Sequence, residues 1–306
     1  MASHAQADMR IRLQNWLPKL VLSPSLALIF VFVYGFILFT VYVSFTDSRI
    51  LPFVDKSGQP TYELIGFSNY EKLFRLSHWD IAVTNMAVFA GLYIIICTLI
   101  GLLLAILLDQ KIRGEGLIRP IFLYPMALSF IVTGTAWKWM LDPGIGFENI
   151  VQSWGWTTFT FDWIKNRDYA LYTVVLAAVW QSSGFTMAMF LAGLRGIDTE
   201  ILKAAQMDGA SNWNLYRRII LPQLRPAFLS AFVILAHLAI KTFDLVIAMT
   251  GGGPGRATEL PATFMYSYTF SRNQMGIGAA SAVIMLMTIA AIMVPYLYSE
   301  LRERKS

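Results

Sequence analysis

Charged side chains are scarce in this 306-residue sequence. Asp, Glu, Lys and Arg together make up 14% of the residues, against roughly 25% in ordinary soluble domains. Hydrophobic residues supply 56% of the chain, and the mean hydropathy is +0.55. This shortage of charge argues against a soluble globular domain and predicts an integral membrane protein.

Cysteine and histidine are also rare. A single cysteine, Cys97, rules out an internal disulfide, and its apolar neighbours predict that it is a small buried hydrophobe. The three histidines, His4, His78 and His237, are scattered along the chain. Neither a metal-ligand cluster nor a nucleophile–base pair is predicted, so we expect no metal site and no catalytic residue.

The sequence does contain apolar runs of the length that a bilayer requires, about 20 residues each. The six runs cover residues 20–45, 82–108, 117–140, 170–194, 227–250 and 276–298. Each is predicted to be a helix, because lipid leaves open backbone groups without partners. The predicted fold class is an all-α integral membrane protein with six transmembrane helices over residues 20–298, between tails at 1–19 and 299–306.

The distribution of positive charge predicts the orientation. Of the 24 Lys and Arg residues, 14 fall on the side that holds both termini and nine on the other, while Lys241 lies inside a predicted span. Lys and Arg are enriched in cytoplasmic loops. We therefore expect a multi-pass protein with both termini cytoplasmic, together with the polar segment at residues 198–222.

This polar segment between the fourth and fifth runs has helix signals of its own. Asp198 or Thr199 is a candidate N-cap for a short helix, and Gly209 is suited to end it in the left-handed conformation. Ser211 is a candidate cap for a second helix, which Pro222 would end. The pattern predicts two helices joined by a sharp turn. On these grounds alone, an amphipathic linker lying in the headgroups is an equal alternative.

The same segment, KAAQMDGASNWNLYRRIILP at residues 203–222, resembles the cytoplasmic EAA loop of permease subunits in binding-protein-dependent ABC importers. The matching positions are Ala204, Ala205, Asp208, Gly209, Ala210, Ile219, Leu221 and Pro222. One position departs from the family pattern: Lys203 stands where Glu is common, and Glu200 lies one turn earlier. A charge contact of that family Glu is therefore not carried over.

The resemblance extends along most of the chain. Residues 66–74, 119–140 and 243–259 resemble the carbohydrate-uptake branch, of the maltose and glycerol-phosphate type, and residues 259–282 are similar to the glucose or mannose kind. The resemblance implies a permease subunit in the bacterial cytoplasmic (inner) membrane. It would translocate a mono- or small oligosaccharide by alternating access.

The resemblance also implies partners. These are a second permease subunit in a heterodimer, a cytoplasmic ATPase dimer that receives the loop, and a periplasmic or extracellular sugar-binding protein, with membrane lipid around the helices and no nucleic acid. No G-x-x-x-x-G-K-[ST] phosphate loop occurs, and GGGPGRAT at residues 251–258 lacks its spacing and its lysine. We interpret that segment as a turn-rich loop, and expect the partner ATPase to bind ATP and Mg²⁺. A self-sufficient secondary transporter or channel, and a scaffold permease without solute contacts, are the alternatives.

Polar residues inside the predicted spans are candidates for the substrate path. His237, Lys241 and Asp244 follow an i, i+4, i+7 spacing in the fifth run, which would place them on one helix face. That face is interpreted as lining the solute path, as a buried ion pair that fixes packing, or as a proton relay. In the fourth run, Trp180 is suited to stack on a sugar ring and Gln181 to bind its hydroxyls, with simple helix packing as the alternative.

Overall fold

The computed structural model describes residues 16, 19, 21–51, 53–54, 60–110 and 114–303. Most of the predicted N-terminal tail, and positions 304–306 of the predicted C-terminal tail, lie outside the described residues. The chain forms two compact units. One contains Met1–Lys72 with Tyr268–Val283, and the other contains Leu73–Ser267 with Ile284–Ser306.

Helices dominate the described residues. In chain order they are α1 (Val21–Ser44), α2 (Ser68–Arg75), α3 (Ser77–Asp109), α4 (Glu115–Ala127), α5 (Phe130–Met140), α6 (Phe147–Ser153), α7 (Ala170–Arg195), α8 (Thr199–Met207), α9 (Asn212–Gln223), α10 (Arg225–Ile240), α11 (Asp244–Met249), α12 (Pro261–Tyr266) and α13 (Met275–Glu303). Strands β1 (Phe53–Val54) and β2 (Pro60–Thr61) form an antiparallel pair. This pair of two-residue strands and an isolated antiparallel bridge between Thr46 and Leu64 depart from the all-α prediction.

Hydrogen bonds between buried polar groups stabilise the first unit. Asn69 Nδ2 donates to the carbonyl oxygens of Ser44, at 2.9 Å, and Thr46, at 2.7 Å. Gly276 packs so closely there that an added Cβ would lie 2.4 Å from the Thr46 carbonyl oxygen. By contrast, only 6% of the apolar stretch of α1 is buried within the chain, as suits a helix surrounded by lipid or another apolar chain.

The second unit is built around the pairing of α3 with α7. Small residues permit the close approach: a Cβ on Gly101 would lie 2.7 Å from the Thr186 methyl carbon. Close packing through small residues is a main source of helix association in lipid. Cys97 is fully buried in this pairing, which confirms the prediction of a small buried hydrophobe.

The third apolar run is not one straight helix. Helices α4 and α5 meet at an angle of 99°, because Leu128 is extended and Ser129 caps α5 by accepting a hydrogen bond from the Val132 amide at 3.3 Å. A serine in this position satisfies a free amide at the new helix start and so stabilises the break. The prediction of one continuous helix over residues 117–140 was therefore wrong, because this segment forms two helices.

The fifth apolar run is also interrupted. Helix α10 ends at Ile240, and α11 begins only at Asp244. The Thr242 hydroxyl donates to the Leu238 carbonyl oxygen at 2.8 Å, a contact of the kind that bends helices. Upstream, α10 continues from α9 through a bend of 60°. The continuous helix therefore ends at Ile240, before the predicted limit at residue 250.

Four helices are long and apolar enough to cross a membrane: α1, α3, α7 and α13. The bent pairs α4/α5 and α9/α10 raise the number of candidate spans to six if each pair counts as one. The protein is thus a multi-pass membrane protein with four to six candidate spans among the described residues.

The connection between α5 and α7 is ordered by polar contacts. Asp142 accepts a hydrogen bond from the Gly144 amide at 2.8 Å and pairs with Lys165 at 3.2 Å. The amide hydrogen bond and the nearby ammonium lower the pKa of the Asp142 carboxyl. Further along, Glu148 accepts from the Phe161 amide at 2.8 Å. This connection therefore folds back on itself.

Candidate functional site

The segment between α7 and α10 forms the predicted pair of short helices. Asp198 caps α8 by accepting a hydrogen bond from the Glu200 amide at 2.9 Å, and Ser211 caps α9 by accepting from the Asn214 amide at 3.4 Å. Gly209 has a φ of +78°, the left-handed conformation that a Cβ penalises. The sharp turn is therefore fixed by a residue without a side chain.

One side of this helical pair is buried. Ala205, Leu215 and Ile220 join a hydrophobic cluster that also contains Leu108 from α3 and Leu194 from α7. The helical pair is thus packed directly against the ends of α3 and α7. Close-packed interiors transmit displacement because they deform little.

The opposite side of the pair is exposed and partly apolar. Met207 is 88% exposed and Trp213 is 71% exposed. Lys203, Ala204, Asp208, Gly209, Glu200 and Pro222 are exposed too, whereas Ala210, Ile219 and Leu221 are half-buried. Large exposed apolar side chains within a polar rim are typical of surfaces that bind another protein.

A cavity of about 300 Å³ lies where the α4–α5 bend faces α7 and α10. Its lining residues are Met126, Leu128, Phe130, Gln181, Ser182, Phe185, Ile234 and Leu238. Gln181 is 3% exposed, and its Nε2 donates to the Leu128 carbonyl oxygen at 2.8 Å. Its Oε1 is buried and has no hydrogen-bond partner in the described part of the chain. An acceptor is thus left for a hydroxyl group that enters the cavity.

Of the predicted substrate-path residues, only Gln181 lines this cavity. Trp180 points elsewhere, is 40% exposed, and packs edge-on against Trp137 with ring centroids 5.9 Å apart. His237 lies on α10 between two lining residues but is not itself in the lining. The sequence did not identify the Leu128 carbonyl group, although Pro and Ser flanking this position could have indicated a bend.

The prediction that three ionisable residues of the fifth run share one helix face was wrong. Because α10 ends at Ile240, His237, Lys241 and Asp244 do not share the face of one continuous helix. Lys241 and Asp244 are both exposed, and among the described residues no ion pair within 4.0 Å joins them. The structure therefore gives no support to a buried ion pair at this place.

The glycine-rich segment at residues 251–258 is a compact loop between α11 and α12, as predicted. The buried Thr258 hydroxyl lies 2.6 Å from that of Thr250 and donates to the Gly253 carbonyl oxygen at 3.0 Å. Asn85 Nδ2, from α3, donates to the Glu259 carbonyl oxygen at 3.0 Å. Side-chain hydrogen bonds thus fold this loop and tie it to α3.

Apolar candidate spans, a largely apolar cavity with Gln181 and Ser182 in its lining, and the capped helical pair α8–α9 are features consistent with a membrane transport subunit. The chain belongs to the family of binding-protein-dependent transport system inner membrane components, which matches residues 97–303. The resemblance to permease subunits of binding-protein-dependent ABC importers, inferred from the sequence, is confirmed.

Known proteins agree with this membership. A probable ABC transporter permease protein of Pyrococcus horikoshii is 40% identical over 280 residues, which cover 91% of this chain and 94% of that protein. A xylose/arabinose import permease protein of Haloferax volcanii is 36% identical, over 89% of this chain and 84% of that protein. The fold is similar to that in a crystal structure of a bacterial ABC transporter involved in alginate import, with a TM-score of 0.77, 19% identity and 99% of both chains covered.

Proposed function

We propose that this chain is one of two membrane-spanning subunits of an ATP-driven sugar importer, and that the helical pair α8–α9 docks on a separate ATPase. The observation that carries the proposal is the two-sided construction of this pair. Its inner side is packed onto the ends of α3 and α7, while its outer side exposes Met207 and Trp213. Buried aromatic and apolar anchors supply most of the affinity of protein interfaces.

The cavity beside Gln181 supports a neutral sugar as the solute. None of its eight lining residues is charged, so it offers nothing to balance a phosphate or a carboxylate. It combines apolar and aromatic walls with a few oriented polar groups, as sites for small neutral ligands do. The name of the Haloferax volcanii relative, which refers to xylose and arabinose, agrees with this choice. Glucose and mannose are therefore among the neutral sugars to test for uptake.

Transport would proceed by alternating access, with the energy supplied elsewhere. The partner ATPase dimer binds ATP and Mg²⁺, and this chain has no catalytic residue of its own. Closure of the ATPase displaces α8 and α9, and the packed ends of α3 and α7 carry the displacement towards the cavity. An external sugar-binding protein delivers the solute, and a second permease completes the pathway. In this arrangement, both termini and the helical pair lie in the cytoplasm.

The proposal is tested in proteoliposomes that contain this chain, the second permease, the ATPase and the binding protein. Uptake of radiolabelled neutral monosaccharides and disaccharides is compared with uptake of sn-glycerol 3-phosphate, as a charged control. We expect uptake of a neutral sugar that requires both ATP and the binding protein. Uptake by this chain alone, driven by an ion gradient, would instead identify a secondary transporter.

A further inference from the structure

Arg195 joins the ends of three helices beside the helical pair α8–α9. It is the last residue of α7, three positions before Asp198, which caps α8. Its Nη2 lies 2.6 Å from Glu115 Oε1 at the start of α4, and its Nε lies 3.9 Å from Asp109 Oδ1 at the end of α3. One guanidinium group therefore faces two carboxylates at the base of the helical pair α8–α9.

Helix α4 also contacts α7 at two further places. In the middle of α4, the backbone is so close to Gly184 of α7 that an added Cβ on this glycine would lie 1.8 Å from the Phe122 carbonyl oxygen. Beyond its far end, the Leu128 carbonyl oxygen accepts the hydrogen bond from Gln181. The Arg195–Glu115 contact is thus the third attachment of α4 to α7, and it lies nearest to the helical pair.

We propose that Arg195 is a positioning residue, which makes the start of α4 move together with the base of the helical pair. Because the far end of α4 leads to Leu128 in the cavity lining, a displacement of α8 reaches the cavity through α4 as well as through α7. This inference rests on the proposed function, since it presumes that an ATPase displaces the helical pair.

The exposure of the three side chains indicates the size of the effect. Arg195 is 44% exposed, Asp109 is 36% exposed and Glu115 is 26% exposed. Ion pairs at such positions shift an equilibrium by up to about fivefold. A contribution of this size is too small to determine the fold, but it is large enough to bias two conformations of a transporter.

The test is a charge-removal series in the reconstituted four-component complex. The variants are Arg195→Gln, Glu115→Gln and the conservative Arg195→Lys, which keeps a positive charge beside both carboxylates. The control is Arg225→Gln, because Arg225 is exposed and has no ion pair within 4.0 Å in the part of the chain that the structure describes. The readouts are sugar molecules imported per ATP hydrolysed, the stimulation of hydrolysis by loaded binding protein, and the amount of assembled complex.

We expect the two Gln variants to assemble normally and to import about two- to fivefold less sugar per ATP. Arg195→Lys should retain most of this ratio, and Arg225→Gln should match wild type. An unchanged ratio in Arg195→Gln, a deficit in Arg195→Lys as large as in Arg195→Gln, or a loss of assembly in the Gln variants would each overturn the positioning role. A wild-type complex that shows no ATP-dependent uptake would refute the proposed function itself, which keeps the two failures distinct.

Discussion

Replacing Gly209 with valine is expected to uncouple the ATPase from the membrane helices while the spans remain folded. Gly209 has a φ of +78°, and no heavy atom lies within 4 Å of the position that a Cβ would take. The penalty is therefore backbone strain rather than a collision. A residue with a Cβ in the left-handed region costs about 1–2 kcal/mol, and a β-branched side chain adds to this cost.

A penalty of this size lowers the ratio of the native turn to alternative conformations by a factor of about 5–30. Because the turn sets the angle between α8 and α9, the exposed side of the pair would no longer fit one partner surface. The assay measures retention of the ATPase on the immobilised permease pair, together with hydrolysis stimulated by loaded binding protein. Both should fall, by up to about 5–30-fold, while the amount of permease pair in the membrane stays unchanged.

Gly155→Val provides a matched control. Gly155 has a φ of +103° and equally open surroundings, but it lies between α6 and α7, far along the chain from the helical pair. The same kind of strain should leave ATPase retention at the wild-type level. If Gly209→Val also retains the ATPase and full stimulation, the helical pair is only a linker at the membrane surface, and the reasoning is refuted.

Three further predictions follow from the packing, the cavity and the charge distribution. Gly184→Ala should destabilise the protein by about 1–3 kcal/mol through overpacking, which lowers the melting temperature. The control Gly91→Ala, which has open space around it, should keep the wild-type melting temperature. Equal melting temperatures for the two variants would contradict the close packing of Gly184. Gln181→Leu should slow sugar uptake by up to about tenfold at saturating binding protein, because one neutral hydrogen bond contributes about 0.5–1.5 kcal/mol; an unchanged rate would favour a scaffold subunit. In intact cells, an impermeant thiol reagent should label a cysteine at Thr160 but not one at Ser211, and the reverse pattern would invert the orientation.

The sequence predicted the long apolar helices well, because span length and composition are properties of the chain itself. The run at residues 170–194 corresponds to Ala170–Arg195, and the run at 20–45 corresponds to Val21–Ser44. The caps and the turn of the helical pair were predicted for the same reason. A cap such as Ser211 and a left-handed residue such as Gly209 act on their immediate neighbours.

The bends could not be predicted from hydrophobicity. Residues 117–140 are predominantly apolar on both sides of the bend, yet the chain turns by 99° at Leu128 and Ser129. A polar cap and a hydrogen bond from α7 replace some of the lost backbone hydrogen bonds. The break after Ile240 likewise could not be predicted from hydrophobicity. It invalidates the predicted shared helix face, because Lys241 and Asp244 lie beyond the end of α10. Helical spacing places residues on one face only where the helix is continuous.

The cavity depends on contacts that are distant in sequence. Gln181 was identified because a polar residue inside an apolar span is conspicuous. Its partner is the backbone carbonyl group of Leu128, and the nearby Pro125 and Ser129 could have indicated a bend but not this hydrogen bond. The hydrogen bond between them spans 53 positions of the chain. Tertiary packing alone brings these two groups to the same cavity.

The central claim, that the helical pair is the surface on which an ATPase docks, is tested most directly by protection of a single position on it. Met207 is 88% exposed in this chain, so Met207→Cys should react rapidly with a soluble maleimide in the isolated permease pair. The native Cys97 is fully buried and should contribute little background. If the ATPase docks there, adding it should reduce labelling at position 207 to near background while a cysteine at Thr160 reacts as before. Unchanged labelling at position 207 in a complex that is shown to contain the ATPase would contradict the claim.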